Sequence, residues 1–254
     1  MARPSDRPAK ATAAPAGTAC SPSVIWGTGT PSRGMWVFRG WRRCCACWAS
    51  ADLAPWAVGP VRTWRGRGVS TERVLVICTG NLCRSPVAAA MLAGHTNRGS
   101  RSVEVFSAGT AVGPFPVPAA LVSAVRERGI DLRAHRAGQV QRDDLAVVDL
   151  VLGAERAHVR ELALLDPSAW PRIFTLKELV RRGGVVGPRG PGEPLAEWLS
   201  RAAEDPTTRD LQGSSGVDDV VDPFGGPDVG YVQMIMELDG VVRQLADLVW
   251  PSGS

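Results

Sequence analysis

The run Cys78-Thr79-Gly80-Asn81-Leu82-Cys83-Arg84-Ser85-Pro86 packs a thiol, a glycine, a guanidinium and a hydroxyl into nine residues. That combination suits phosphate chemistry. A tight loop that leads into a helix turns its backbone N–H groups toward one point at the helix N-terminus, which attracts anions. Gly80 allows a backbone conformation that a side chain would resist, and Arg84 supplies a planar fork matched to phosphate oxygens. The loop opens on Cys78 where a nucleotide-binding loop opens on glycine, and no lysine follows. A thiol inside a ring of N–H donors, close to a helix terminus and to Arg84, is favoured as the thiolate, and Ser85 offers it a hydrogen bond. The expectation is one loop that both binds and attacks: Thr79, Gly80, Asn81, Cys83 and Ser85 cradle the phosphoryl group, Arg84 clamps it, and Cys78 is the nucleophile. The competing reading is a small buried hydrophobe at a strand end, a common fate of free cysteine.

Such a loop needs a strand before it and a helix after it. Residues 73–78 are rich in β-branched side chains and bounded by Thr-Gly, as in a buried parallel strand. Ser85 to His95 opens with Ser-Pro and continues in helix formers, with Pro86 in the first turn. Further strands are expected at Val103–Ser107, Leu145–Leu152 and Pro171–Phe174, with helices at Pro118–Arg128, 155–164, Leu176–Arg182 and Leu195–Ala203. A last helix carries Val232, Ile235, Leu238, Val242, Leu245 and Val249 at spacings of three and four, a core-facing stripe. This alternation predicts an α/β fold: three layers, a four-stranded parallel sheet flanked by helices, with the phosphate-binding loop after the first strand. The Gly/Pro-rich stretch 183–219 reads as a long surface excursion.

The chain is 254 residues long, and its net charge of +4 is unevenly spread. Residues 1–70 carry +8, and the remainder carries −4. The basic character belongs to the leader, so no nucleic-acid surface is expected on the folded part. Six of nine Trp and four of six Cys also precede Ser70, with only Leu53 and Ile25 of their kinds. So few aliphatic side chains cannot build a core, and residues 1–70 are expected to be a poorly structured extension. Translation from Met35 or from a non-standard start near Val69 is one account of it. Cys44, Cys45 and Cys47 lack a second Cys/His pair at ligand spacing, and Arg42-Arg43 stands too far from Met1, before an interrupted apolar stretch, for an export signal. No run approaches the roughly 20 apolar residues that cross a bilayer, so no membrane association is expected. A catalytic thiolate persists in a reducing compartment, which points to the cytoplasm.

The loop sequence resembles the signature of the low-molecular-weight protein tyrosine phosphatases, V-C-x-G-N-x-C-R-S-P, at Cys78, Gly80, Asn81, Cys83, Arg84, Ser85 and Pro86. The resemblance continues through Phe106-Ser107-Ala108-Gly109-Thr110, through Gly129-Ile130 to His135, and to Asp222-Pro223-Phe224, covering roughly residues 72–250. It implies a metal-independent phosphatase without cofactor, acting through a phosphocysteine intermediate. It also implies a general acid at Asp222, because a phenol of pKa about 10 leaves faster once its oxygen is protonated. Residues alone leave Asp218, Asp219 and Asp228 as alternatives. By the same resemblance Asn81 braces the loop in a network with Ser107 and His135, and Cys83 is a second thiol able to pair with Cys78 under oxidation.

Substrate choice is argued separately. Arsenate reductases of this fold need relay cysteines downstream, and none follows Cys83. Protein arginine phosphatases share Cys-Thr-Gly-Asn and Asp-Pro-Phe-Gly but carry a small polar residue where Leu82 stands. A bulky Leu82 resembles the tyrosine-directed branch, whereas Phe224-Gly225-Gly226 departs from its tyrosine-rich rim. The expected partner is therefore a phosphotyrosine-containing protein bound by Leu82 and Phe224, with phosphoarginine as the alternative. A phosphoprotein-binding module without catalysis is the reading from another class, disfavoured by the joint presence of Cys78, Arg84 and Asp222.

Overall fold

A computed structural model describes residues 71–96, 102–203 and 216–251, and the expected extension over residues 1–70 lies outside the described residues. Four strands, β1 (Glu72–Cys78), β2 (Val103–Gly109), β3 (Leu150–Gly153) and β4 (Ile173–Thr175), form one parallel sheet in the order β2-β1-β3-β4. The strand most central to the site, β1, is buried on both faces because it is apolar from Val74 to Cys78. Val74, Val76 and Cys78 point into one core, and Leu75 and Ile77 into another.

Helices cover both faces. The first core is closed by α1 (Arg84–Thr96), α2 (Ala119–Arg126), α5 (Leu176–Val186), α6 (Leu195–Ala203) and α7 (Val229–Val249). The second is closed by α3 (Arg142–Ala146), α4 (Arg156–Leu165) and a 3-10 segment at Pro167–Arg172. The chain leaves β1 toward β2 on one side and returns to β3 on the other, so the order reverses at the carboxyl end of β1. In open α/β sheets that reversal opens a crevice for ligands, and Cys78 ends the strand there.

Several elements differ from the sequence expectation. Leu145 lies in α3, not in the third strand, because Gln141 and Asp144 form a reciprocal capping box that starts a helical turn. Asp149 then accepts from the Arg73 backbone N–H at 2.8 Å, immediately before β3 begins. Pro171 belongs to the 3-10 segment, which is capped where the Asp166 side chain accepts from Ser168 N, so β4 begins two residues later at Ile173. On α7, Val232 is 44% exposed, and Tyr231 and Met234 take the inward places with Ile235, Leu238, Val242, Leu245 and Val249. A 3.6-residue period traced back from Val249 arrives at Tyr231, one residue from Val232.

The stretch from 183 onward is part of the core where it is described. Helix α5 runs on to Val186, and α6 buries Leu195, Trp198 and Leu199. The Trp198 indole packs where a β-carbon on Gly183 would come within 3.0 Å of it, so the glycine makes room for the ring. Its Nε1 donates to the Gly187 carbonyl at 3.0 Å. Trp198→Ala is expected to lower stability by about 3–5 kcal/mol in equilibrium denaturation. A peripheral α6 would show almost no change.

Candidate active site

The loop Thr79–Cys83 joins β1 to α1, and its conformation is fixed from below. Asn81 has φ of 53°, the one non-glycine positive φ among the described residues. The left-handed residue is therefore Asn81 and not Gly80, which sequence reasoning had favoured. Asparagine tolerates this region better than other side chains, and here its polar atoms are fully used. Its Nδ2 donates to Ser85 Oγ and Ser107 Oγ, both at 2.9 Å, and its Oδ1 accepts from Gly138 N at 3.0 Å. His135 Nε2 donates to the Asn81 carbonyl at 2.8 Å. The end of β2 lies against the same loop. Thr110 N donates to the Cys78 carbonyl at 3.0 Å and Ala111 N to that of Thr79 at 2.9 Å. Such approach needs glycine at 109, where a β-carbon would lie 2.5 Å from Thr79 O and 3.0 Å from Asn81 N.

This bracing sets the Asn81 N–H and the Ser85 hydroxyl against the Cys78 sulfur. Asn81 N lies 3.2 Å from Sγ, and Ser85 Oγ lies 3.0 Å from it. Cys83 is the other buried thiol of the loop. Burial, then the negative charges of Asp222 and Cys78, push its thiol up to about 12 against the opposing charge of Arg84. A neutral thiol is a poor nucleophile, so the two cysteines of the loop are not interchangeable.

Arg84 is 1% exposed and gathers two distant segments against its own loop. Its Nη1 bonds to Glu155 and, at 3.2 Å, to the Val220 carbonyl. Its Nη2 donates to Asp222 Oδ2 at 2.7 Å and to Thr79 Oγ1 at 3.3 Å. Only Nε, also buried, has no partner among the described residues. A buried donor left over in this way beside a nucleophile is the opening an anion would fill.

Asp222 follows a segment that is clamped at successive residues. Asp218 pairs with Arg156 at 3.0 Å and Arg181 at 2.9 Å. Burial alone would raise the Asp218 carboxyl, but the hydrogen bonds and charges of Arg181 and Arg156 outweigh it and hold the group below the ordinary range. Asp219 accepts from Arg156 N at 2.7 Å, its carbonyl accepts from Lys177 Nζ at 2.6 Å, and Val220 N donates to the Ala154 carbonyl at 2.8 Å. The Phe224 backbone N–H then reaches back to Asp222 Oδ1 at 3.2 Å.

A pocket opens above the sulfur, lined by Cys78, Thr79, Gly80, Leu82 and Cys83 from the loop, by Ala111, Gly113 and Phe115 after β2, and by Asp222 and Phe224. Phe115 and Phe224 face each other at its mouth, ring centroids 5.8 Å apart and tilted by 59°. Of the residues expected in the site, Cys78, Thr79, Gly80, Leu82, Cys83, Asp222 and Phe224 line this pocket. Asn81, Arg84, Ser85, Ser107 and His135 are hydrogen-bonded to the loop or to Asp222, whereas Asp228 caps α7 and Cys44, Cys45 and Cys47 lie outside the described residues. Three others were missed. Glu155 lies just past the carboxyl end of β3, where sites in such sheets gather, and that position was its one signal. Phe115 stands in a Gly-Pro-Phe-Pro loop with no spacing to mark it. His158, which contacts Thr79 Oγ1 at 3.0 Å, was hidden in an ordinary helical turn.

Residues 73–187 match the family model described as low molecular weight phosphotyrosine protein phosphatase. A protein-arginine-phosphatase of Geobacillus stearothermophilus is 30% identical over 176 residues, which are 69% of this chain and 94% of the relative. The crystal structure of a low molecular weight protein tyrosine phosphatase from T. tengcongensis is similar with a TM-score of 0.51 and 31% identity, over 69% of this chain and 98% of that one. So is a mutant arginine phosphatase whose active-site serine is phosphorylated, with a TM-score of 0.52 and 30% identity over 69% and 93%. The matched loop, the sheet order and this coverage agree: the chain belongs to the low molecular weight phosphotyrosine protein phosphatase family.

Proposed function

We propose that the protein hydrolyses phosphotyrosine on proteins through a phosphocysteine intermediate. The observation that carries this is a buried Arg84 whose Nε has no partner among the described residues and whose Nη2 holds Asp222, while Asp222 and Cys78 line one largely apolar pocket. The sulfur attacks phosphorus in line, forming the S–P bond as the P–O bond to the leaving group breaks. Arg84 Nε and the loop amides stabilise the three equatorial oxygens, where charge is spread in the transition state. Asp222 gives its proton to the departing phenol oxygen. Water then attacks the phosphocysteine with Asp222 accepting its proton, which releases phosphate and restores the thiolate. A reducing cytoplasm is the compartment in which this thiol persists.

The pocket walls favour an aryl leaving group. Leu82, Ala111, Phe115 and Phe224 are apolar, and Asp222 is the one charged residue lining it. A planar ring fits between such walls without leaving polar groups unpaired. The reading of phosphoarginine is supported by a different observation, the 94% coverage of the Geobacillus stearothermophilus relative. Leu82 separates the two, because a guanidino group held against leucine loses hydrogen bonds that a small polar side chain would return.

Cys78→Ser is expected to abolish turnover of a phosphotyrosine peptide while vanadate still binds by calorimetry. Residual wild-type-like turnover would overturn the nucleophile assignment. Asp222→Ala is expected to lower kcat on that peptide by about 10²–10⁴-fold and to lower it less on para-nitrophenyl phosphate, whose phenol leaves more readily without a proton. Equal losses on both would remove Asp222 as the acid. Leu82→Thr is expected to shift the ratio of kcat/KM for phosphotyrosine over phosphoarginine peptides by at least about tenfold toward phosphoarginine. An unchanged ratio, or a parent enzyme that already prefers phosphoarginine, would reverse the substrate assignment.

A further inference from the structure

His158 takes no part in the chemistry above, yet it is 2% exposed and lies against the phosphate-binding loop. Both ring nitrogens are engaged. The Glu155 backbone N–H donates to Nδ1 at 3.0 Å, so Nδ1 carries no proton. A neutral ring then holds its hydrogen on Nε2, which faces Thr79 Oγ1 at 3.0 Å. Burial and the charge of Arg84 keep the imidazole below the ordinary histidine value, against the opposing charges of Glu155, Glu161 and Asp219.

The N-terminus of α4 does not by itself ask for histidine. Glu155 is the N-cap and His158 the third helical residue of a capping box, a place usually filled by Glu or Gln. Capping uses Nδ1 alone. What the imidazole adds is a second nitrogen on the far side of a rigid ring, and that nitrogen reaches the active-site loop.

Thr79 Oγ1 also accepts from Arg84 Nη2 at 3.3 Å. A hydroxyl oxygen has two lone pairs and one hydrogen. With His158 and Arg84 filling both lone pairs, the hydroxyl hydrogen is the group left over, and Thr79 lines the pocket beside Cys78 and Asp222. Without the imidazole the hydroxyl would be a free rotor, able to turn toward the Asp222 carboxylate. A donor already oriented costs no reorganisation when charge builds on the phosphoryl oxygens.

We propose that His158 is a positioning residue for this reaction: by donating from Nε2 to Thr79 Oγ1 alongside Arg84, it turns the Thr79 hydroxyl hydrogen into the pocket as a fixed donor to the phosphoryl group. The inference rests on the phosphatase reading of the site and extends it to a side chain that never touches substrate. It requires the neutral Nε2–H tautomer. It also requires that His158 act through Thr79 and through no other route.

The test is a double-mutant cycle in the full 254-residue chain, read as kcat and KM on a phosphotyrosine peptide, with ¹⁵N NMR of the imidazoles. Thr79→Val and His158→Phe are each expected to lower kcat by at least about tenfold, with KM changed less than about twofold. The combined T79V/H158F variant should fall no further than T79V alone. Multiplying losses, or a rise in KM with kcat intact, would overturn the proposal while leaving the phosphatase reading standing. A parent chain that turns over no phosphomonoester would overturn both. The NMR measurement stands apart from activity and from the folding of H158F. The proposal predicts His158 neutral as Nε2–H at pH 7, with its signal displaced in Thr79→Val. A protonated ring or an Nδ1–H tautomer would overturn it.

Discussion

A guanidinium that is 1% exposed has to be paired, because an uncompensated buried charge is among the costliest defects a fold can carry. The surroundings of Arg84 are organised by that requirement. Glu155, Val220 and Asp222 reach it from 71, 136 and 138 residues away in sequence. The turn after β3 and the segment before α7 are therefore drawn to the start of α1 by one charge. Four of the five donor directions of the guanidinium face protein groups, and the fifth, at Nε, has no partner among the described residues. Two carboxylates on one guanidinium also keep its plane from rotating, so the remaining donor has a fixed direction before any ligand arrives.

The loop beneath is held by a different principle. A left-handed asparagine costs of order 1 kcal/mol, and it persists because Ser85, Ser107, Gly138 and His135 determine its position from four sides. The same hydroxyl of Ser85 contacts both Asn81 and the Cys78 sulfur. Backbone strain and nucleophile environment are thereby one network, and the absence of a side chain at Gly109 lets β2 close it from behind.

Much of this was legible in the sequence because it is written locally. The loop spacing, the apolar run of β1 and the helix after it are all contiguous, and the family signature spans them. Ser107, His135 and Asp222 were reachable only through that resemblance, since nothing in their own surroundings distinguishes them from turn residues. What escaped was set by contacts across the chain. The apolar run Leu145–Leu152 hides the capping box that makes its first residues helical. Trp198 enters the core only because Gly183 leaves room on a neighbouring helix. Glu155 and His158 read as an ordinary helix start, and their second role appears only when β3 brings that turn beside β1. Phe115 has a partner in Phe224 that is more than a hundred residues away.

The clamps on Asp218, Asp219 and Val220 have an evolutionary consequence. Together they tie the chain to Arg156 and Arg181, to Lys177 and to the turn just past β3, shortly before the residue assigned as the acid. Whatever enters that segment from upstream is re-registered there. Insertions, deletions or drift before Gly216 need not be transmitted to Asp222, any more than slack in a rope moves the load beyond a cleat. A lineage is free to lengthen or recompose that connection, and to acquire new surface there, without reopening the geometry of the reaction.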